Sequence, residues 1–183
     1  MPSPTRFTRL NIGCGPEPAP GWLNADRQPA AGVDLVGDLC TGLPLADASV
    51  DYAVGMHLLQ DIAWPELPAA VAELRRVLRP GGVLRLGLPD LDRAIDAYRH
   101  GDAGYFFVPD EHARDIGAKL VTQIIWYGSV RTPFTWGFTR ELLQGAGWRE
   151  VTRCAFGRSA SAWPGIASLD NRERESLYVE ALA

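Results

Sequence analysis

A chain of 183 residues with 46% hydrophobic and 22% charged residues has enough apolar material for one globular core without metals or disulfides, which excludes disordered, collagen-like and coiled-coil architectures. A formal net charge of −4 offers no general attraction to a phosphate backbone and argues against nucleic acid as a partner. Cys14, Cys40 and Cys154 are odd in number and far apart and lack paired ligand spacing, so they read as reduced thiols, with no metal site and no disulfide framework. The N-terminal stretch MPSPTRFTRL has no apolar signal core and no apolar run reaches membrane-spanning length, so a cytoplasmic location with no membrane partner is expected.

In chain order, Phe7 to Ile12 reads as a buried strand ending at Gly13, and Trp22 to Ala25 as a second short strand before Asp26. The stretch between them is too short and too rich in proline for a helix. Val33 to Val36, stopped by Gly37-Asp38, and Val50 to Gly55, after the turn-rich GLPLADAS, are the third and fourth strands. Residues 66–79 place Leu67, Ala70, Val71, Leu74, Val77 and Leu78 on one helical face, stopped by Pro80-Gly81-Gly82. VLRLGLPD then reads as a central strand, and Leu91, Ala94, Ile95 and Tyr98 outline another helix.

After Gly101 the β/α rhythm gives way to the irregular DAGYFFVP. Ala113, Ile116, Leu120, Val121 and Ile124 then recur at helical spacing between Asp110, a candidate N-cap, and Tyr127. The loop GSVRTPFTWGF leads to a short helix from Thr139 to about Gly145, and two strands, 148–156 and 176–183, finish the chain. The pattern predicts a single α/β domain over 1–183. Its architecture is a Rossmann-like, doubly wound, mostly parallel sheet with an antiparallel C-terminal strand, and residues 100–140 cover the acceptor side.

In such sheets ligands lie beyond the carboxyl ends of the strands, where glycines permit close approach and acidic side chains accept hydrogen bonds from ribose hydroxyls. Gly13 and Gly15 stand at the first strand end, Asp26 at the second, and Asp38 with Leu39 at the third. A lone Gly-x-Gly is weak evidence, but the ordered set could hold an adenine nucleoside. The bland readings remain that Asp26 and Asp38 cap turns, that Cys14 is a small loop residue without a cationic partner, and that RRVLR is a solvated helix face. His57 could be packed at a helix end or line a pocket, His100 lies at the surface, and His112 sits in a first helical turn. Trp126, Tyr127 and Trp136 could be core or acceptor wall.

LNIGCG, GWLNAD, the GDL before LPLADASVDYAVGMHLL, and AELRRVLRPGGVLRLGLPDL together resemble the class I S-adenosylmethionine-dependent methyltransferases, in particular small members with a shortened first crossover; GFTRELLQGAGWREVTR resembles their last helix and sixth strand. The resemblance is close over about residues 10–95. It implies S-adenosyl-L-methionine as cofactor. Gly13, Cys14 and Gly15 would approach its methionine part, Asp26 its ribose, Asp38 and Leu39 its adenine, and Met56 and His57 would line the pocket. Two departures stand out. Gly15 and Asp26 are only eleven positions apart, with Pro16, Pro18 and Pro20 between them, and the Glu-His pair many relatives carry after the fourth strand is Gln60-Asp61 here.

The resemblance implies methyl transfer to a small-molecule acceptor, with residues 105–136 covering the methyl-bearing end. Tyr105, His112, Trp126 and Tyr127 are the acceptor candidates, and His57, His112 and Tyr105 the candidates for acid–base work. A sulfonium methyl is already electrophilic, so orientation and water exclusion matter more than a nucleophile, and a hydroxyl acceptor would add the need for a base. Two other classes share these features. A cofactor-binding regulatory protein without turnover would account for the missing Glu-His pair. A nicotinamide-dependent oxidoreductase would share the strand-end glycines, although G-x-G-x-x-G before a first crossover helix is absent.

Overall fold

The computed structural model describes residues 8–183. Phe7, the expected first residue of the first strand, lies outside them. Strands β1 (Arg9–Ile12), β2 (Leu23–Asp26), β3 (Leu35–Val36) and β4 (Val50–Met56) lead to helix α1 (Leu67–Val77) and strand β5 (Leu78–Pro89). Helices α2 (Leu91–Arg99), α3 (Ile116–Ile125) and α4 (Trp136–Gly145) follow, and β6 (Arg149–Cys154) and β7 (Ser176–Leu182) end the chain. The strands form one sheet in the order β3-β2-β1-β4-β5-β7-β6. The first five run parallel, whereas β7 pairs antiparallel with both β5 and β6. This is the mostly parallel α/β sheet with antiparallel closure expected above.

One face of the sheet is covered by helices as the periodicity requires. Leu67, Ala70, Val71, Leu74 and Val77 of α1 are all fully buried, alongside Leu143 of α4. Trp148 joins them, its indole N–H donating to the Val71 carbonyl at 3.1 Å. Helix α1 ends two residues before the expected position because Leu78 is already extended and pairs with Val50. The RRVLR stretch is also more engaged than a free solvated face. Arg76 bonds to Glu73, Asp47 and the carbonyls of Leu43 and Leu45, fastening α1 to the loop before β4.

The opposite face is organised differently, and the short first crossover is the cause. Residues 13–22 contain no helix, so no helix from that crossover covers β1 and β4. The side chain of Asn24 does the work of helical hydrogen bonding there: its Oδ1 accepts from Ala19 N at 2.8 Å and from Asn11 Nδ2 at 3.0 Å, and its Nδ2 donates to the carbonyls of Ala19 and Trp22. The exposed sheet face is instead buried by the long connection between β6 and β7. Trp163 stacks on Tyr52 at 5.2 Å, Trp22 meets Tyr52 edge-on at 5.5 Å, and Ile166 completes the cluster with Val54 and Val83. The Tyr52 hydroxyl donates to the Pro164 carbonyl at 2.7 Å.

A buried ion network anchors the same connection. Arg85, fully buried on β5, binds Asp170 through two nitrogens and Glu180 through a third, and donates to the carbonyls of Ala155 and Arg158. A charge that far from water is tolerable only with its partners in place.

Two helices differ in detail from the sequence expectation. Helix α3 starts at Ile116, capped by Asp115, whose carboxylate accepts from Ala118 N. Asp110 pairs instead with Lys119, whose ammonium is buried against the Val108 carbonyl at 2.6 Å. Lys119 thus takes the inward place while Val121 is 59% exposed. Helix α4 starts three residues earlier than expected, because Thr135 supplies the N-cap to Phe138 N and Thr139 donates back to the Thr135 carbonyl.

Candidate active site

Strands β1 to β4 end at one edge of the sheet, and each delivers a loop to it. After β1, Gly13 and Gly15 both adopt left-handed backbone, at φ +69° and +56°, a conformation glycine enters without steric cost. A Cβ on Gly13 would stand 2.7 Å from Leu58 Cδ1, whereas nothing lies within 4 Å of one on Gly15, which faces open space. Gly13 N and Cys14 N both donate to the Ala25 carbonyl, which draws the loop against β2.

Asp26, the last residue of β2, accepts from Gly15 N and from Gln28 N, each at 3.0 Å. Its early arrival in the chain therefore has two consequences. The carboxylate shapes the glycine loop and, since each oxygen keeps a further lone pair, it can still accept from a ligand. Beyond β3, Asp38 accepts from Cys40 N at 2.8 Å and closes a turn that buries Leu39. After β4, Met56 is followed by His57 at φ +50°, a left-handed conformation that a residue with a side chain seldom takes.

All eight cofactor candidates, Gly13, Cys14, Gly15, Asp26, Asp38, Leu39, Met56 and His57, line one cavity of about 790 Å³, joined by Asn171 and Arg172 from the β6–β7 connection. A second chamber of about 230 Å³ adjoins it. His57, Asp61 and Arg172 line both. The second chamber has apolar walls from Leu91, Ala94, Ile124, Trp126 and Phe134 and polar groups from Gln60, Tyr105 and Glu175.

Burial governs the protonation states. The His57 imidazole is pushed down to about 4 by burial, aided by the Arg172 charge, so it is neutral at pH 7. Burial raises Asp61, against the opposing pull of Arg27, a Gln60 hydrogen bond and Arg172, and raises Glu175 likewise. Tyr105 is pushed up to about 12 by burial and then by Asp90, so its phenol keeps its proton. Burial and the neighbouring Asp26 also raise the Cys14 thiol, which leaves it a poor nucleophile.

The acceptor candidates divide. Tyr105 and Trp126 line the second chamber, while His112 and Tyr127 lie outside its lining and pair with each other at 2.8 Å on the exposed surface. His100 bonds to the Asp96 carbonyl at the end of α2. Arg172, Asn171 and Glu175 escaped the sequence reading. They follow a stretch with no periodic pattern, and their position depends on how that stretch docks across the sheet. Among the described residues no group of three or more metal-ligating side chains comes together, and no helix is long and apolar enough to cross a membrane.

Residues 11–86 match the family model described as a methyltransferase domain. The chain is 37% identical over 134 residues to malonyl-[acyl-carrier protein] O-methyltransferase of Serratia marcescens, covering 65% of this chain and 48% of that protein. It is 53% identical over 67 residues to an uncharacterised 37.1 kDa transposon protein of Streptomyces fradiae, covering 37% of this chain and 18% of that one. The chain thus spans less than half the length of either relative. Among solved structures, an S-adenosylmethionine-dependent methyltransferase of Thermotoga maritima, described as a possible histamine N-methyltransferase, superposes with a TM-score of 0.57 at 17% identity, covering 96% of this chain and 81% of that one.

Proposed function

We infer that this chain, whose residues 11–86 match a methyltransferase domain, is a class I S-adenosylmethionine-dependent methyltransferase that binds S-adenosylmethionine in the larger cavity and transfers its methyl group to a small molecule in the adjoining chamber. The observation that carries the reading is the meeting of the two cavities at His57, Asp61 and Arg172. That junction is where a methyl group must pass from donor to acceptor.

The residues present fit the cofactor. Gly15 opens onto free space, the carboxylates of Asp26 and Asp38 are spaced along successive strand ends, and 790 Å³ lies within the range of nucleoside-sized pockets. Asp26 would accept from the ribose hydroxyls, Asp38 and Leu39 would hold the adenine edge, and Gly13 to Gly15 would border the methionine end. Arg172 supplies the positive charge suited to a carboxylate there. When bound, the cofactor supplies a methyl group on a sulfonium, already activated for in-line displacement.

The protein's own contribution is positioning and proton management. Trp126, Ile124 and Phe134 exclude water from the chamber and orient the acceptor. For an acceptor bearing an O–H or N–H, the neutral imidazole of His57 stands at the junction to take the proton as the heteroatom gains the methyl group. The small chamber favours a compact acceptor over a macromolecular one.

Calorimetry with S-adenosylhomocysteine tests the first half of the reading, with about micromolar affinity expected. A panel of metabolite, peptide and RNA acceptors, read by mass, tests the second. Absence of binding overturns the cofactor reading, and methylation of RNA or peptide alone overturns the small-molecule reading.

A further inference from the structure

His57 does not stand alone at the junction. Its Nε2 lies 2.7 Å from the hydroxyl of Ser176, the first residue of β7 and fully buried. That hydroxyl also faces two carbonyl oxygens, Arg172 at 2.9 Å and Asn171 at 3.4 Å. Carbonyl oxygens can only accept, and although Asn171 O also receives the Tyr178 hydroxyl and Arg172 O the Glu175 N–H, each keeps a second lone pair for the Ser176 proton. With that proton on a carbonyl, the Ser176 oxygen accepts from the imidazole and Nε2 carries the ring proton. Nδ1 has no hydrogen-bond partner among the described residues, and His57 lines both cavities.

The backbone reinforces the placement. His57 N donates to the Gly87 carbonyl at 2.8 Å, and the His57 carbonyl accepts from the Gln60 side chain, so the left-handed residue is held on both sides. Its side chain is thereby directed across the ends of β4 and β5 towards β7.

We propose that Ser176 is a positioning residue that holds His57 as the Nε2–H tautomer, leaving the Nδ1 lone pair free at the boundary between the two cavities to receive the acceptor's proton. The inference deepens the function proposed above and rests on it for the catalytic consequence, though not for the tautomer itself. In the transfer step the acceptor heteroatom forms a bond to the methyl carbon, and the carbon–sulfur bond breaks with its electron pair going to sulfur. The acceptor's proton goes to Nδ1, and the resulting imidazolium releases it to water. The charged and titratable groups that line the smaller chamber with His57 are Asp61, Asp90, Tyr105, Arg172 and Glu175, and of these the Arg172 charge acts on the ring. Burial and Arg172 keep the imidazole neutral near pH 7, so its Nδ1 lone pair is unprotonated when the acceptor binds, and a proton taken up there is readily passed on to water.

The test is a long-range ¹H–¹⁵N spectrum of the imidazoles in the uniformly labelled protein, which has three histidines, with His57 identified by the peaks missing from His57→Gln. Expected are an Nε2-protonated pattern that does not titrate between pH 5.5 and 8.5, its loss or mixing in Ser176→Ala, and its retention in Ser176→Thr. An Nδ1–H pattern in the unsubstituted protein overturns the proposal without recourse to any variant. An unchanged pattern in a folded Ser176→Ala overturns it too. S-adenosylhomocysteine affinity, measured alongside, is expected to stay within twofold in Ser176→Ala; failure of the unsubstituted protein to bind it would instead count against the methyltransferase reading and leave the tautomer result standing.

Discussion

Replacing Arg85 by Met keeps the length and apolar bulk of the side chain and removes the guanidinium, which isolates what the buried network contributes. In the native protein Arg85 reaches Asp170 at 2.6 and 2.5 Å and Glu180 at 2.7 Å. The acidic side chains are sealed, with 1% and 4% exposure. Breaking such a network from one side costs about 3–5 kcal/mol, because two carboxylates are left without their counter-charge where water cannot replace it. The loss stays within that range because Asp170 retains Gly157 N and Glu180 retains Ala160 N and Ser161 N. Against a total stability on the order of 5–15 kcal/mol, this is a large fraction. Urea unfolding followed by tryptophan fluorescence is the assay. With a slope near 2 kcal/mol per molar, the midpoint falls by roughly 2 M. Arg85→Lys, which keeps the charge but not the fork, is expected between the two. A loss under about 1 kcal/mol in Arg85→Met would refute the claim that this network anchors the β6–β7 connection.

Three further outcomes are expected. Asp26→Asn retains one oxygen for Gly15 N but loses an ionised acceptor, so S-adenosylhomocysteine binding should weaken by about 1–3 kcal/mol in calorimetry; unchanged affinity in the folded variant removes the ribose assignment. Gly13→Ala puts a Cβ at φ +69°, 2.7 Å from the flexible end of Leu58, and is expected to lower stability by about 1–2 kcal/mol, measured as a urea midpoint. The third concerns pH. Because the folded pKa of His57 is lowered to about 4 from 6.5, the unfolded chain takes up a proton that the folded one refuses. Its stabilising share is therefore complete above about pH 6.5 and lost as pH falls towards 4, worth up to roughly 3 kcal/mol at 1.36 kcal/mol per pKa unit. Urea midpoints of the unsubstituted protein and His57→Gln at pH 7 and 4.5 check this, and parallel declines would contradict it.

Much of the edge that lines the larger cavity is written in local sequence. Gly13, Gly15, Asp26 and Asp38 sit where short apolar runs stop, and a strand that stops there must present its next residue at the sheet edge. Helix α1 is equally legible, since five inward residues recur at helical spacing and Pro80-Gly81-Gly82 prevents continuation. The absence of a first crossover helix follows from three prolines within the ten residues between Gly15 and Asp26.

What covers the face left bare could not be read locally. The connection between β6 and β7 has no periodicity, and its position is decided by contacts with residues far away in the chain: Tyr52 to Trp163 and Pro164, and Arg85 to Asp170. Only that docking brings Arg172 to the cavity and sets Ser176 against His57, an encounter between residues 119 positions apart. The inverted burial of Lys119 over Val121 has the same origin, since the Val108 carbonyl and Asp110 that receive its ammonium are placed by the fold. Residue type and spacing determine where a chain turns and which faces are apolar; the partner a polar side chain meets across the sheet is determined by tertiary packing alone, because the free energy of that meeting exists only once both segments are in place.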